Sequence, residues 1–160
     1  MSVGPAAGFP VDGRQSPTAL MVSRGTQRLL SSLGLACVSE LPLASGRRAD
    51  LVAVGGDGEI WIVEVKSSVA DFRVDQKWPD YRAHCDRLFF ATAAHVPADI
   101  FPEDAGLIVA DGYGGEVLRG APEHRLHAST RKSMLLCFAR AAAVRLQSLA
   151  DPQGPYGEVV

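Results

Sequence analysis

Cysteine is scarce in this chain and is spaced too widely for a cross-linked fold. The 160 residues include three cysteines, Cys37, Cys85 and Cys137. A disulfide framework uses an even number of cysteines, and a zinc or iron–sulfur site uses closely paired ones. We therefore expect three reduced thiols in the core of a protein from a reducing cytoplasm.

Long apolar runs are also missing. No stretch reaches the roughly 18 consecutive apolar residues that a membrane-spanning helix needs. The N-terminus has neither the positive charge nor the continuous apolar segment of a secretory signal peptide. These absences predict a cytoplasmic protein without a membrane partner.

An excess of positive charge is absent too. The formal net charge is −2, so composition does not mark a nucleic-acid-binding protein. Charge is unevenly distributed, however, because residues 119–145 contain six basic residues and a single acid, Glu123. That segment forms either a patch facing phosphate or an ordinary solvated helix face. The basic residues are Arg119, Arg125, Arg131, Lys132, Arg140 and Arg145.

The length and composition indicate one domain, and the order of predicted elements along the chain indicates an α/β fold. A chain of 160 residues with 47% hydrophobic residues is long enough for one packed core and short for two. Residues 1–15 are rich in glycine, proline and small side chains, and we expect a flexible arm there. Residues 16–150 are the expected domain, and residues 151–160 a flexible tail.

A first helix is predicted between Ser16-Pro17 and Gly34. Serine favours the N-cap, proline the first helical position, and glycine the C-terminal stop. The expected buried stripe consists of Leu20, Leu29, Leu30 and Leu33.

An irregular segment interrupts the strands that follow. Pro79 prevents a single helix from running through it, so we expect a helical turn near Ser68 to Phe72 and a second helix starting close to Pro79. Strands are predicted at Leu35 to Leu41, Arg87 to Ala91, Gly106 to Ala110 and Glu116 to Arg119.

The last helix, Ser129 to Leu149, has the clearest helical periodicity. Arg131 and Lys132 fall in its first turn, where positive charge opposes the helix dipole. Their placement fits a phosphate bound at the helix start, and it fits tolerated surface charges equally well. The expected buried face consists of Leu135, Ala139, Ala142, Leu146 and Leu149.

A β-hairpin is predicted in the middle of the chain. Ala49 to Val54 and Glu59 to Val65 are rich in Val, Ile, Leu and Trp, and a glycine-rich turn joins them. If the loop is centred on Asp57, Asp50 lies directly opposite Glu64, with the Cβ atoms roughly 4.5 to 5.5 Å apart.

Two neighbouring carboxylates favour a divalent cation. Asp50 and Glu64 repel each other, and Lys66 shares the face of Glu64 because side chains alternate along a strand. Mg²⁺ binds one or two carboxylates and fills its shell with water and phosphate oxygens. The alternative is that Glu64 pairs with Lys66 or an arginine on a solvated face. Its position inside the apolar run IWIVEV makes an unpaired charge costly and favours function.

These residues resemble the PD-(D/E)XK nuclease superfamily and, more closely, the MmcB-like bacterial DNA repair proteins. The resemblance covers roughly Thr18 to Leu149 and rests on GRRADLVAV, EIWIVEVKSSVADFRVDQKWPDYRAHCDRLFFA, GLIVADGYGGEVLR and RKSMLLCFARAAAVRL. It implies a restriction-endonuclease-like core, with a mixed central β-sheet flanked by helices. It also implies phosphodiester hydrolysis that depends on Mg²⁺ or Mn²⁺, in a DNA repair setting.

The motif residues carry over one by one. Asp50 matches the first acid of the motif, Glu64 its second acid and Lys66 its lysine, and the backbone carbonyl of Val65 is a further candidate metal ligand. One departure is the first helix, which contains no acid, whereas many superfamily members have one there. Glu40 on the following strand is the candidate replacement, and without it the site would hold a single ion.

The sequence therefore predicts a metal-dependent DNA endonuclease of repair. DNA, other repair proteins and a second copy of the chain are the expected partners. The alternatives are a DNA-binding or protein-recruiting repair factor that has lost turnover, and a structural module with a salt-bridged Glu64. Expected DNA contacts, besides Arg131 and Lys132, are Arg48, Ser67, Gln76, Lys77 and Tyr81. Tyr81 is equally well interpreted as a packing residue.

Overall fold

Three α-helices flank one six-stranded sheet in the computed structural model, which describes residues 15–157. The expected α/β fold with a mixed central sheet flanked by helices is confirmed. Most of the predicted arm and the end of the predicted tail lie outside the described residues. The helices are α1 (Pro17–Ser32), α2 (Val69–Val74) and α3 (Ala128–Ala150). The strands are β1 (Ala36–Pro42), β2 (Arg48–Val54), β3 (Ile60–Val65), β4 (Arg87–Thr92), β5 (Gly106–Ala110) and β6 (Gly115–Arg119).

The strands lie in the sheet in chain order. β1 and β3 each pair antiparallel with β2, which lies between them. β4 pairs parallel with β3, β5 pairs parallel with β4, and β6 returns antiparallel to β5. In the β2–β3 ladder Leu51 pairs with Val63. The same register places Asp50 opposite Glu64 one position further on, so the predicted hairpin and its register are confirmed.

Helix α1 begins and ends as predicted but buries a different stripe. The Ser16 hydroxyl accepts a hydrogen bond from the Ala19 amide at 3.1 Å, and Gly34 follows the helix with φ +80°. The stripe facing the sheet consists of Val22, Gly25, Thr26 and Leu30. Leu20 and Leu33 are exposed, so their predicted burial is wrong.

Gly25 allows α1 to approach the turn between β5 and β6. A Cβ atom at this position would lie 1.9 Å from the carbonyl oxygen of Asp111 and 2.5 Å from that of Gly114. Neighbouring Arg24 donates from Nε to the Gly112 carbonyl at 2.8 Å. The helix therefore contacts the turn backbone directly.

Helix α3 extends one residue beyond the predicted bounds at each end, and its most deeply buried residues lie outside the predicted face. Met134 and Ala141 are buried, and Cys137 and Phe138 pack beside them against β1 and its neighbours. Of the face expected from periodicity, Leu135 and Ala142 are partly buried against this core, whereas Ala139, Leu146 and Leu149 are exposed. At about 100° per residue, the buried face lies roughly a quarter turn from the predicted one. Within residues 15–157, no helix combines enough length and apolar character to traverse a bilayer.

Arg131 ties the start of α3 to the hairpin turn. Its guanidinium donates to both carboxylate oxygens of Asp86, at 2.6 and 2.7 Å, and to the Gly58 carbonyl at 2.8 Å. Gly58 precedes Glu64 by six residues, roughly 20 Å along an extended chain. Arg131 therefore belongs to an internal ion pair at the far end of the hairpin and not to a phosphate-facing patch. Lys132 is exposed beside it.

Arg119 and Arg145 also serve the interior of the fold. Arg119 donates to the carbonyls of Pro102 and Ala105, and Arg145 to those of Ser39 and Glu40. These contacts hold loops and the edge strand β1 in place. They leave neither guanidinium available for the phosphate patch considered from sequence.

The irregular segment between β3 and β4 contains α2 and a 3-10 helix, Trp78–His84, which starts next to Pro79 as expected. Phe72 of α2 packs against Phe90 and Phe101, with ring centroids 5.4 and 5.0 Å apart. This aromatic contact docks α2 on β4, beside the end of β3.

Candidate active site

A pocket of about 370 Å³ lies at the open end of the β2–β3 hairpin. Asp50 lines it from β2, Glu64 and Val65 from β3, and Lys66 from the position directly after β3. The start of α1, part of β1 and the segment that contains α2 form the other walls. The three residues predicted to be catalytic therefore share one cavity.

Backbone hydrogen bonds position the two carboxylates. The Asp50 amide donates to Oε1 of Glu64 at 3.2 Å, and the Val65 amide donates to Oδ2 of Asp50 at 2.8 Å. Glu64 is only 4% exposed. The acids are thus held on the rigid ends of two paired strands.

Burial controls the protonation of this acid pair. Loss of water raises the pKa of Asp50, and it raises the pKa of Glu64 well above its usual range. The negative charge of Asp50 raises the Glu64 pKa further. A side-chain contact between the two carboxyl groups lowers the pKa of Asp50 and raises that of Glu64, so a proton on Glu64 relieves part of the repulsion. A positive ion placed between them would relieve the repulsion that this proton now relieves.

Lys66 is held by a residue outside the predicted motif. Its Nζ lies 2.7 Å from Oδ2 of Asp75, and the lysine is 7% exposed. Burial by itself lowers the pKa of Lys66, but the hydrogen bond to Asp75 and the charges of Asp75, Asp71 and Glu64 outweigh it, and the pKa is raised. Lys66 is therefore an ammonium ion at neutral pH, suited to stabilising negative charge.

Asp71 holds the residue next to this lysine. Its Oδ2 accepts from the Ser67 amide at 3.0 Å and from the Ser67 hydroxyl at 3.4 Å. In return, the Ser68 hydroxyl accepts from the Asp71 amide at 3.0 Å and caps α2. Two carboxylates from the α2 region, Asp71 and Asp75, thus contact consecutive residues at the end of β3.

Glu40 borders the pocket in an unusual backbone conformation. Its φ of +52° lies in the left-handed region, which costs a non-glycine residue about 1 to 2 kcal/mol. Arg145 donates to the carbonyl of Glu40 at 2.7 Å and also to that of Ser39. The Glu40 carboxylate accepts from Nε2 of Gln15 at 2.8 Å and pairs with Nε of Arg48 at 2.6 Å.

The first helix brings no acid to the site. Its contributions to the pocket wall are Ser16, Ala19 and Ser23. Within residues 15–157, no three side chains of His, Cys, Asp or Glu gather closely enough to hold a metal ion. The structure therefore does not assemble Glu40 with the acid pair into the three-carboxylate set that sequence reasoning considered.

The donor set fits one hard cation. Asp50 and Glu64 supply carboxylate oxygens from adjacent strands, and Val65, whose carbonyl was the further candidate ligand, lines the same pocket. Mg²⁺ commonly takes one or two carboxylates and completes its shell with water and substrate oxygens. Mn²⁺ accepts the same oxygen ligands. The residues present are therefore suited to one Mg²⁺ or Mn²⁺ ion.

The predicted DNA contacts separate into two groups. Arg48, Ser67 and Tyr81 line the pocket, whereas Gln76 and Lys77 are exposed and do not. The Tyr81 hydroxyl donates to the Arg48 carbonyl at 2.9 Å, and burial together with the nearby acid pair raises the Tyr81 pKa. Tyr81 is thus mainly a packing residue beneath the site, the alternative already considered from sequence.

Sequence reasoning missed Asp71 and Asp75. The Ser68-to-Asp71 spacing is a helix-capping signal and could have located α2 and its first acid. Asp75 gives no comparable signal, because its contact with Lys66 depends on where α2 docks.

Comparison with known proteins gives one family and one solved structure. The family model described as MmcB-like, "DNA repair protein MmcB-like", matches residues 8–153. No curated protein matches the chain. A solved structure, the SPO1766 protein of unknown function from Silicibacter pomeroyi, is 42% identical, with a TM-score of 0.84 over 88% of this chain and 96% of that one.

Proposed function

Because the chain belongs to the MmcB-like DNA repair protein family, we propose that it is a divalent-metal-dependent DNA endonuclease that acts in repair. The family supports the repair role and DNA as the partner. Phosphodiester hydrolysis is the further step of this proposal. The observation that carries it is the convergence of Asp50, Glu64 and Lys66 in one pocket.

The acid pair would bind the ion, and the lysine would act on the scissile phosphate. Asp50 and Glu64 present oxygen ligands from two paired strands, so their separation changes little when a substrate binds. When bound, a divalent cation makes water a better nucleophile and offsets charge on the phosphate. Lys66 would hold the attacking water in line and stabilise the negative charge that develops on the phosphate.

Side chains around the pocket would guide the DNA backbone. Arg48 lines the cavity, and over half of its side chain is exposed, so its guanidinium can contact a phosphate at the entrance. Arg73, Gln76 and Lys77 are exposed on the adjoining segment and form a second polar surface. Such contacts position a strand without reading its sequence.

A second candidate function is DNA binding or protein recruitment without turnover. The observation in its favour is that α1 and its N-cap bring Ser16, Ala19 and Ser23 to the pocket and no acid. This candidate predicts DNA affinity that does not depend on Mg²⁺ or Mn²⁺, and no cleavage with either.

A cleavage screen tests the proposal. Single-stranded, duplex, branched and damaged DNA are incubated with the protein and Mg²⁺ or Mn²⁺, with Lys66→Ala as the blank. We expect metal-dependent cuts in at least one substrate and none with the variant. Binding without cleavage in every combination would favour the second candidate.

A further inference from the structure

We propose that Asp75 is the positioning residue of the site, which holds the Lys66 ammonium group facing the acid pair. This inference rests on the proposed nuclease function for its catalytic meaning. Its structural part concerns the placement of Lys66 and can be tested without cleavage. Asp75 lies outside the sequence motif and reaches the pocket from the C-terminal end of α2.

The Asp75 carboxylate is oriented by the backbone. Its Oδ1 accepts from the Lys77 amide at 2.8 Å, and the Trp78 amide also bonds to this carboxylate. Its own amide donates to the Phe72 carbonyl at 3.2 Å and ends α2. Asp75 therefore occupies a turn that would exist without the lysine. Its carboxylate is fixed by the backbone, and it in turn positions the Lys66 ammonium group.

The lysine needs such a partner, because other carboxylates compete for it. Asp71 and Glu64 both attract the Lys66 ammonium group. An ammonium group that moved onto Glu64 would occupy the place of the cation. Asp71 is engaged by the Ser67 amide and hydroxyl, which leaves Asp75 as the acid that bonds Nζ directly.

The main chain of Lys66 is equally well restrained. Its amide donates to the Ala91 carbonyl at 2.9 Å, and its carbonyl accepts from the Thr92 hydroxyl at 2.6 Å. The α2 segment is restrained by Phe72, which packs against Phe90 of β4. Both ends of the Lys66–Asp75 pair are therefore attached to β4, and the pair is a rigid bridge.

Loss of the Asp75 charge should release the lysine and leave the turn intact. In Asp75→Asn the amide oxygen still accepts from the Lys77 amide, and in Asp75→Ser the hydroxyl does so. Neither variant offers a charged partner at 2.7 Å from Nζ. Two variants with the same turn contact keep the test valid if one of them folds poorly.

Amine labelling reads the position of Lys66 directly. The chain has three lysines, Lys66, Lys77 and Lys132, and the last two are exposed, so they act as internal standards. Reductive methylation is followed by peptide mass spectrometry on the metal-free protein. We expect slow modification of Lys66 in the parent and several-fold faster modification in Asp75→Asn and Asp75→Ser, because the ammonium group loses the partner that bonds it directly. Asp80→Asn, which removes an exposed ion pair with Arg47, should leave Lys66 protected.

Steady-state cleavage kinetics then measure the effect of the misplaced lysine on catalysis. A misplaced catalytic group can cost about 10²-fold in rate, so we expect kcat to fall by that order in both Asp75 variants while KM for DNA stays unchanged. Asp75→Glu, which keeps the charge, should recover part of kcat.

The two readouts separate the inference from the proposed function. Lys66 that stays protected in both Asp75 variants would overturn the inference, as would an unchanged kcat in them. A parent protein that cleaves no DNA, with Lys66 released in the variants, would overturn the nuclease proposal while the holding role of Asp75 stands.

Discussion

Arg131 and Asp86 form a two-pronged ion pair although 45 residues separate them. Asp86 is 1% exposed, and its carboxylate also accepts from the amides of Ile60 and Leu126, at 2.8 and 2.9 Å. One buried carboxylate thus joins the start of β3, the segment before α3, and α3 itself. The pair anchors the end of the hairpin opposite the candidate active site.

Removal of the arginine should destabilise the fold strongly. Arg131→Met leaves Asp86 buried without its cation, and loss of one partner of a buried pair costs about 3 to 5 kcal/mol. Urea unfolding at pH 7 measures the loss, and Arg140→Met, an exposed arginine of the same helix, should cost much less. Equal stability of the two variants would show that the pair contributes little.

Stability should fall in acid because of Asp86. Hydrogen bonds from Arg131 and from two backbone amides more than offset burial and lower the pKa of Asp86 from 3.8 to about 2. Between these values the unfolded chain binds more protons, so the contribution is complete above pH 3.8 and disappears as pH falls to about 2. The contribution is on the order of 2 kcal/mol. Unfolding of Asp86→Asn from pH 5 to 2 should lack this component, and identical pH slopes would refute it.

Neutralising Glu64 of the acid pair should stabilise the metal-free protein. The raised pKa of Glu64 means that the folded state holds its proton more tightly than the unfolded state, so stability decreases as pH rises above 4.5. Glu64→Gln does not titrate and should melt above the parent at pH 7, with a gap that narrows towards pH 4. A variant that melts below the parent at pH 7 would show that the negative charge of Glu64 is stabilised in the fold.

Gly25 should tolerate no side chain. The Cβ atom of Gly25→Ala would meet the Asp111 carbonyl oxygen at 1.9 Å, so α1 must move from the β5–β6 turn. Overpacking of this kind costs about 1 to 3 kcal/mol. Gly120→Ala, where the added atom meets nothing within 4 Å, is the matched control. Thermal melting of both variants measures the difference in stability. A Gly25→Ala protein as stable as Gly120→Ala would contradict the close approach of α1 to the β5–β6 turn.

The sequence predicted the hairpin and the acid pair well because local rules determine both. A glycine-rich turn between two apolar runs sets the loop, and strand alternation then places Asp50 opposite Glu64 and Lys66 on the same side. The buried faces of the helices were predicted only in part. Apolar residues surround much of α3, so periodicity did not determine which side packs, and Leu146 and Leu149 proved to be exposed.

Long-range contacts could not be predicted from the sequence, because they depend on tertiary packing. The role of Asp75 depends on the docking of Phe72 against Phe90 and Phe101, and no local spacing encodes that contact. The pairing of Arg131 with Asp86 is similar, because a first-turn arginine has the same sequence signature whether it binds phosphate or a buried acid. The residue types indicated that Lys66 and Arg131 bind an anionic group, and tertiary packing determined which group each one binds.

Titration calorimetry with Mn²⁺ measures directly whether Asp50 and Glu64 together bind a divalent cation. The parent, Asp50→Asn and Glu64→Gln are compared, with Asp80→Asn as a carboxylate control outside the pocket. We expect one ion per chain in the parent and in Asp80→Asn, and no binding heat in the other two variants. No binding in the parent, or unchanged binding in Glu64→Gln, would contradict this expectation.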